Sequence, residues 1–312
     1  MGVKFSAVVC VGMSCRDMAI PSIKALQLLS NCDLIYCITN KNNFYLKNKF
    51  SRDIHPNVTF LDEDKIIPGV NLDDIKQYLL KRIGCSMKAG WYFQQFLKMA
   101  FSRLSICPEY YLVWEADTIL LKNADFIDEE GRIKITIKSE YNHPYFRTLK
   151  NILNLEKQCE YSFISEHMVF ARNIMQEILQ KINMESNDES SWVWNIMDAI
   201  ELHDLPNSGF SEYETYGSYV AKFHPSSFVL SDKITTRSGA AYFGRPPFFQ
   251  DINLLLLTKY FSASFESWQP INKNRHLIAR SVSSVLLAIM KLVAPFHACI
   301  RKNLETAIFI TK

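Results

Sequence analysis

The stretch from Tyr110 to Leu121, YYLVWEADTILL, constrains this chain more than any other. Its aromatic and β-branched residues have the composition of a strand inside a sheet, yet Glu115 and Asp117 interrupt it. Ionised carboxylates are rarely buried unless they are paired or bound to a metal. Side chains alternate along a strand with period 2, so the two carboxylates are expected on one face, at the strand's carboxyl end. Like charges that close need a cation between them. Hard divalent ions such as Mg²⁺ or Mn²⁺ take carboxylate oxygens together with substrate phosphates, so the pair predicts a metal and a phosphorylated ligand.

The rest of the chain supplies a setting for that strand. Phe5 to Val11 is a continuous apolar run closed by Gly12, and Pro21 to Leu29 carries apolar residues at helical spacing. Leu34 to Ile38 and Val58 to Leu61 repeat the short apolar pattern, so the first hundred residues alternate strands with helices as an α/β sheet does. Ligands of such sheets gather at the carboxyl ends of the strands. The loop from Gly12 to Asp17 is therefore a candidate ligand loop, and the acidic run Asp62-Glu63-Asp64 is either another or a solvated turn. Ser86 to Leu104 reads as a helix with Gln94 and Lys98 one turn apart, off the apolar stripe. They reach the carboxylate strand or else lie in solvent.

Two later segments mix chemistry with core pattern. SFISEHMVF, Ser162 to Phe170, is strand-like and carries Glu166 and His167. FSEYETYGSYV, Phe210 to Val220, crowds Glu212 and Glu214 among three tyrosines, with the Ser-x-x-Glu spacing of a capping box at Ser211 and Glu214. In a helix the two glutamates point to different faces, so a cap accounts for one of them only.

The motifs GWYFQQFLK, WEADTILL, SEHMVF and FSEYETYG together resemble a little-characterised group of bacterial GT-A-type nucleotide-sugar glycosyltransferases linked to surface polysaccharide (lipopolysaccharide or capsule) synthesis. The resemblance covers about residues 5 to 225. It implies an α/β fold, a GT-A-like Rossmann-type mixed sheet flanked by helices, over residues 1–260, with a C-terminal helical appendage over 261–312. It implies transfer of a hexose from a nucleotide-sugar, a UDP-sugar by expectation, to a saccharide or lipid-linked acceptor, with Mn²⁺ or Mg²⁺ as cofactor. Asp117, Glu115 and His224 are then the expected metal ligands. Glu115 departs from the first aspartate of the common motif, which leaves Asp117 the safer ligand. Asp17, Gln94, Lys98 and Glu115 are expected at the donor and its phosphates, His167, Tyr213 and Tyr216 at the acceptor, and Glu212 or Glu214 as catalytic base.

Charge and composition narrow the partners. Over 312 residues there are 35 basic and 32 acidic side chains, which gives no footprint for nucleic acid. The eight cysteines form no CxxC pair and suit a reducing cytosol. The first residues lack the apolar core and cleavage site of a signal peptide. Met1-Gly2 with Ser6 fits a myristoylation pattern, but Val3 to Val11 reads as a strand entering the core, so no modification is expected. Leu277 to Ile300 is apolar with basic punctuation and is broken by Lys291 and Pro295, too short for a span but suited to lie on an anionic inner-membrane surface. It could equally pack on the domain as a terminal helix. The expected location is cytoplasmic, peripheral on that face. A nucleotidyltransferase acting on a sugar phosphate also uses carboxylates, a metal and a lysine, but it usually shows a Gly-rich basic loop after the first strand, and CVGMSCRDM has one glycine. A non-catalytic, membrane-associated binding protein is the remaining alternative.

Overall fold

The computed structural model describes residues 3–46, 57–183, 188–269 and 273–311. Met1 and Gly2, on which the myristoylation pattern falls, lie outside the described residues. The strands are β1 (Ser6–Val11), β2 (Ile35–Thr39), β3 (Val58–Asp62), β4 (Tyr110–Glu115), β5 (Thr118–Leu120), β6 (Ile133–Thr136), β7 (His167–Ala171), β8 (Phe228–Ser231), β9 (Thr235–Thr236) and β10 (Ser262–Ser264). The helices are α1 (Arg16–Leu29), α2 (Leu72–Ile83), α3 (Ala89–Ala100), α4 (His143–Leu153), α5 (Arg172–Ile182), α6 (Ser191–Ala199), α7 (Glu212–Phe223), α8 (Gly239–Phe243), α9 (Phe249–Leu257), α10 (Lys273–Val293) and α11 (Ala298–Thr311). The fold is the expected mixed, parallel-rich α/β sheet flanked by helices.

The main sheet runs β3-β2-β1-β4-β7. Its first four strands are parallel and β7 is antiparallel to β4. β1, β2 and the centre of β4 are continuous apolar runs because both faces are covered. The parallel strands end together, so Gly12, Asn40, Glu63 and Glu115 mark one edge. His167 begins β7 at that edge, opposite Trp114. Two small sheets stand beyond it, β5-β10-β9 and β6-β8.

Local chemistry differs from expectation in four places. β4 stops at Glu115 and β5 starts at Thr118, so Ala116 and Asp117 form a turn rather than the continuation of one strand. The indole of Trp114 donates to the Thr118 carbonyl across that turn at 2.9 Å. α1 begins at Arg16, which leaves only Gly12 and the 3₁₀ turn Met13–Cys15 as the loop after β1 and places Asp17 in the first turn of a helix. The strand expected over Ser162 to Phe170 is regular only from His167, preceded by an isolated bridge between Ser162 and Lys138. Ser262–Ser264 pairs with β5, and the terminal helices start only at Lys273. There α10 packs on α8 and α9, and α11 on α1 and α9.

Candidate active site

α3 faces the end of β4. Its buried stripe, Tyr92, Phe93, Phe96, Leu97 and Ala100, is joined by Lys98, which lies in the core at 2% exposure rather than in solvent. The Lys98 ammonium donates to Glu115 Oε1 at 2.5 Å, to Glu212 Oε1 at 2.9 Å and to Gln95 Oε1 at 3.4 Å. Burial alone would push this amine toward neutrality, but the carboxylates of Glu115 and Glu212 outweigh it and hold it charged. Glu115 also accepts from Gln94 Nε2 at 3.2 Å and from the Tyr213 hydroxyl at 3.0 Å. Burial raises the Glu212 carboxyl despite Lys98.

α7 is aimed by its own first turn. Ser211 caps it, accepting from the Glu214 amide at 3.2 Å. The Glu214 carboxylate does not close the capping box; it accepts from Ser162 Oγ at 2.5 Å and the Phe163 amide at 3.0 Å. Gly217 presses on the Phe163 ring, where an added Cβ would stand 2.1 Å from Cγ. With that face seated, Glu212 and Tyr213 point toward β4.

These groups line a cavity of about 260 Å³ that holds Trp91, Gln94, Lys98, Glu115, Asp117, Glu140, Tyr145, Glu166, Glu212, Tyr213, Arg237, Glu266 and Trp268. Arg237 is clasped as Lys98 is, by Glu266 at 2.6 Å and Glu140 at 2.5 Å. Glu166 accepts from Thr235 at 2.8 Å and pairs with Lys138 at 3.3 Å. Despite its burial, these partners keep its carboxyl below the ordinary range. Trp91 and Tyr145 stack at 6.5 Å. A second cavity, of about 430 Å³, lies over the ends of β1 to β3, lined by Gly12, Cys15, Ile38, Asn40, Asn43, Glu63, Phe93 and Leu97. Trp91 and Gln94 line both cavities.

Among the described residues, Asp117 is the carboxylate of this cavity that forms no ion pair. Burial, then the charges of Glu115 and Glu266, push its carboxyl up to about 7 against the weaker pull of Arg245. Among the described residues no three His, Cys, Asp or Glu side chains converge closely enough to hold an ion by themselves. A Mg²⁺-type site does not require that, since one or two carboxylates with substrate phosphates and water suffice. The donor chemistry at Asp117 fits such an ion. Both Glu115 oxygens are already engaged.

The structure thus gathers Gln94, Lys98, Glu115, Asp117, Glu212 and Tyr213 in one place. It puts the other expected residues elsewhere. His167 is sandwiched among Trp114, Phe126 and Phe261 and bonded to Thr136 Oγ1 at 3.3 Å. Burial depresses it to about 4 and keeps it neutral. Tyr216 accepts from the Ala171 amide at 2.8 Å, at the opposite end of β7. His224 follows the last turn of α7, on Glu177 at 3.1 Å, roughly 16–18 Å from Glu212 by helical rise. Glu214 lines neither cavity, and neither does Asp17, which accepts from Arg245 at 3.0 Å. Trp91, Glu140, Tyr145, Glu166, Arg237, Glu266 and Trp268 line the cavity without a role expected from the sequence. Trp91 and Glu166 stood inside quoted motifs, the signal that was there to use. Arg245, with 8% of its side chain exposed, bonds to the Ser14 carbonyl at 2.5 Å and its Nε is buried without a hydrogen-bond partner among the described residues.

The profile of a family described as "Family of unknown function (DUF6492)" matches residues 16–269. Among curated proteins no sequence matches. Among solved structures, the galactosyltransferase LgtC in complex with donor and acceptor sugar analogues is similar, at a TM-score of 0.47 and 9% identity over 90% of this chain and 95% of that one. Mouse xyloside xylosyltransferase 1 in its apo form gives 0.43 and 11% over 86% of this chain and 100% of that one.

Proposed function

The chain belongs to that family of unknown function, DUF6492, and on that premise we propose that it is a metal-dependent GT-A-type glycosyltransferase, moving a sugar from a nucleotide-sugar, a UDP-sugar in the first instance, to a saccharide or lipid-linked acceptor in surface polysaccharide synthesis. The observation that carries this reading is Asp117 in the wall of the charged cavity, which shares Trp91 and Gln94 of α3 with the second cavity. The catalytic unit takes in residues 1–260 together with β10, and the helical segment beyond it serves attachment at the inner membrane face.

The larger cavity, walled by Phe93, Leu97, Ile38 and Asn43, suits a nucleoside. The charged one suits the sugar and acceptor, with Trp91, Tyr145 and Tyr213 offering rings to the apolar C-H faces of saccharides. Its lining has six carboxylates against two cations, each of which is held by its own pair of glutamates. An acceptor without acidic groups is the better match. Asp117 would hold the metal with the donor's phosphates, and such an ion would act as a Lewis acid on the departing nucleoside diphosphate. Arg245, close to the loop after β1, adds positive charge on that side. Lys98 fixes Glu115 and Glu212 in position. Glu212 is the candidate base toward an acceptor hydroxyl, and Glu214, bound to Ser162 and Phe163, is set aside.

The test is a thermal-shift screen with UDP, GDP, CMP and dTDP nucleotides, each with Mn²⁺ and with EDTA. A ligand at 100 times its dissociation constant stabilises by roughly 2.7 kcal/mol, a visible shift. A Mn²⁺-dependent shift with one nucleotide, lost in Asp117→Asn, is expected. No shift with any nucleotide would overturn the reading in favour of a non-catalytic protein.

A further inference from the structure

The terminal helical pair carries charge and apolar surface that the site does not use. α10 sets Ser283 and Met290 into the body of the protein. Ile278, Val282, Val285, Ile289 and Leu292 face outward, each between 47% and 75% exposed. Their spacing of four, three, four and three residues places them in one line along the helix. Lys291 projects roughly 140° round the helix from the middle of that line, on the polar side.

Charge is partitioned in the same way. Residues 273–312 contain seven lysines and arginines and a single glutamate, so with a formal charge of +3 for the whole chain, residues 1–272 carry −3. Lys291, Arg301 and Lys302 are exposed in this segment. Among the described residues no helix is long and apolar enough to cross a membrane.

We propose that the Ile278 to Leu292 stripe docks α10 flat on an anionic lipid surface. An amphipathic helix with basic residues on its polar face binds in this way, its apolar line entering the boundary between headgroups and acyl chains. A second copy of the chain is the poorer occupant, because pairing through this stripe brings two strongly positive segments together, whereas anionic lipid meets the segment with the opposite sign. The docking itself does not depend on the transfer chemistry. Its use, holding the site where lipid-linked acceptors lie, rests on the function proposed above.

The experiment is flotation of the full-length protein with phosphatidylcholine vesicles, with and without phosphatidylglycerol. The protein is expected to float with the anionic vesicles alone and to be released by high salt. Val285→Ser with Ile289→Ser, changes at side chains already in solvent, should lower partitioning by about tenfold or more. Asp117→Asn should float as the wild type does, which separates this result from failure of the nucleotide screen. The proposal is overturned if no vesicle carries the protein, if the serine variant floats equally well, or if light scattering finds a dimer that the serine variant turns into a monomer.

Discussion

Asp117 and Lys98 show opposite solutions to a charge held out of water. Asp117 has its carboxyl raised to about 7 in the folded protein, whereas unfolded it titrates at about 3.9. The folded state therefore holds this proton more tightly, and the stabilisation that comes with it is complete below the unfolded value and lost as pH rises through about 7. In EDTA the melting temperature should fall over that interval, and Asp117→Asn should flatten the fall, by on the order of 1–3 kcal/mol after allowance for partial contact with water. Urea unfolding at pH 5 and pH 8 checks it; equal slopes for both proteins would remove Asp117 as the source. Lys98 is fully compensated, so its loss is the damaging change. Lys98→Met leaves Glu115 and Glu212 facing each other and should destabilise by about 3–5 kcal/mol, with Glu212→Gln in the same chain recovering part of it.

α7 is the element whose seating decides which glutamate reaches the cavity. Gly217→Ala forces a methyl against Phe163 and should cost about 1–3 kcal/mol in a thermal melt, and Ser211→Ala about 1 kcal/mol through the lost cap. If α7 tilts in the alanine variant, Glu212 leaves Lys98 as well, so any activity should fall further than stability does. The same element shows what the sequence made legible. Continuous apolar runs announced β1, β2, β3 and β4, and the capping spacing at Ser211 announced the start of α7. That the Glu214 carboxylate leaves the cap was not visible, because its partners Ser162 and Phe163 lie 52 and 51 residues away. Period 2 also gave the right company for Glu115 and Asp117 by the wrong route. They meet the same cavity because the chain turns at Ala116, not because one strand continues. Arg237 and Glu266 follow β9 and β10, pairings of two and three residues that are too short to leave a period. The sequence leaves Lys98 open between the carboxylate strand and solvent because its neutralising partners come from two other elements. The histidines are hard to read for the converse reason, since nothing local distinguishes an acceptor-binding histidine from His167 packed among aromatic rings.

Across the whole molecule, the terminal helices both close the core and turn a face outward. α11 buries Ala307 and Ile310 and packs on α1 and α9, so a chain ending after α10 should melt lower, by an amount in the range of about 2–4 kcal/mol set by two lost core side chains. An unchanged melt would mean that α11 adds nothing to the body it covers. α3 reaches further still. Trp91 and Gln94 belong to the walls of both cavities, so whichever ligand arrives first fixes one side of the other's chamber. For the transfer reaction proposed above the expected consequence is a kinetic one: both ligands occupy the molecule together before either product leaves, and double-reciprocal plots at several fixed acceptor concentrations should intersect. Parallel lines would mean that the first product leaves before the acceptor binds, so that the two chambers are never filled together.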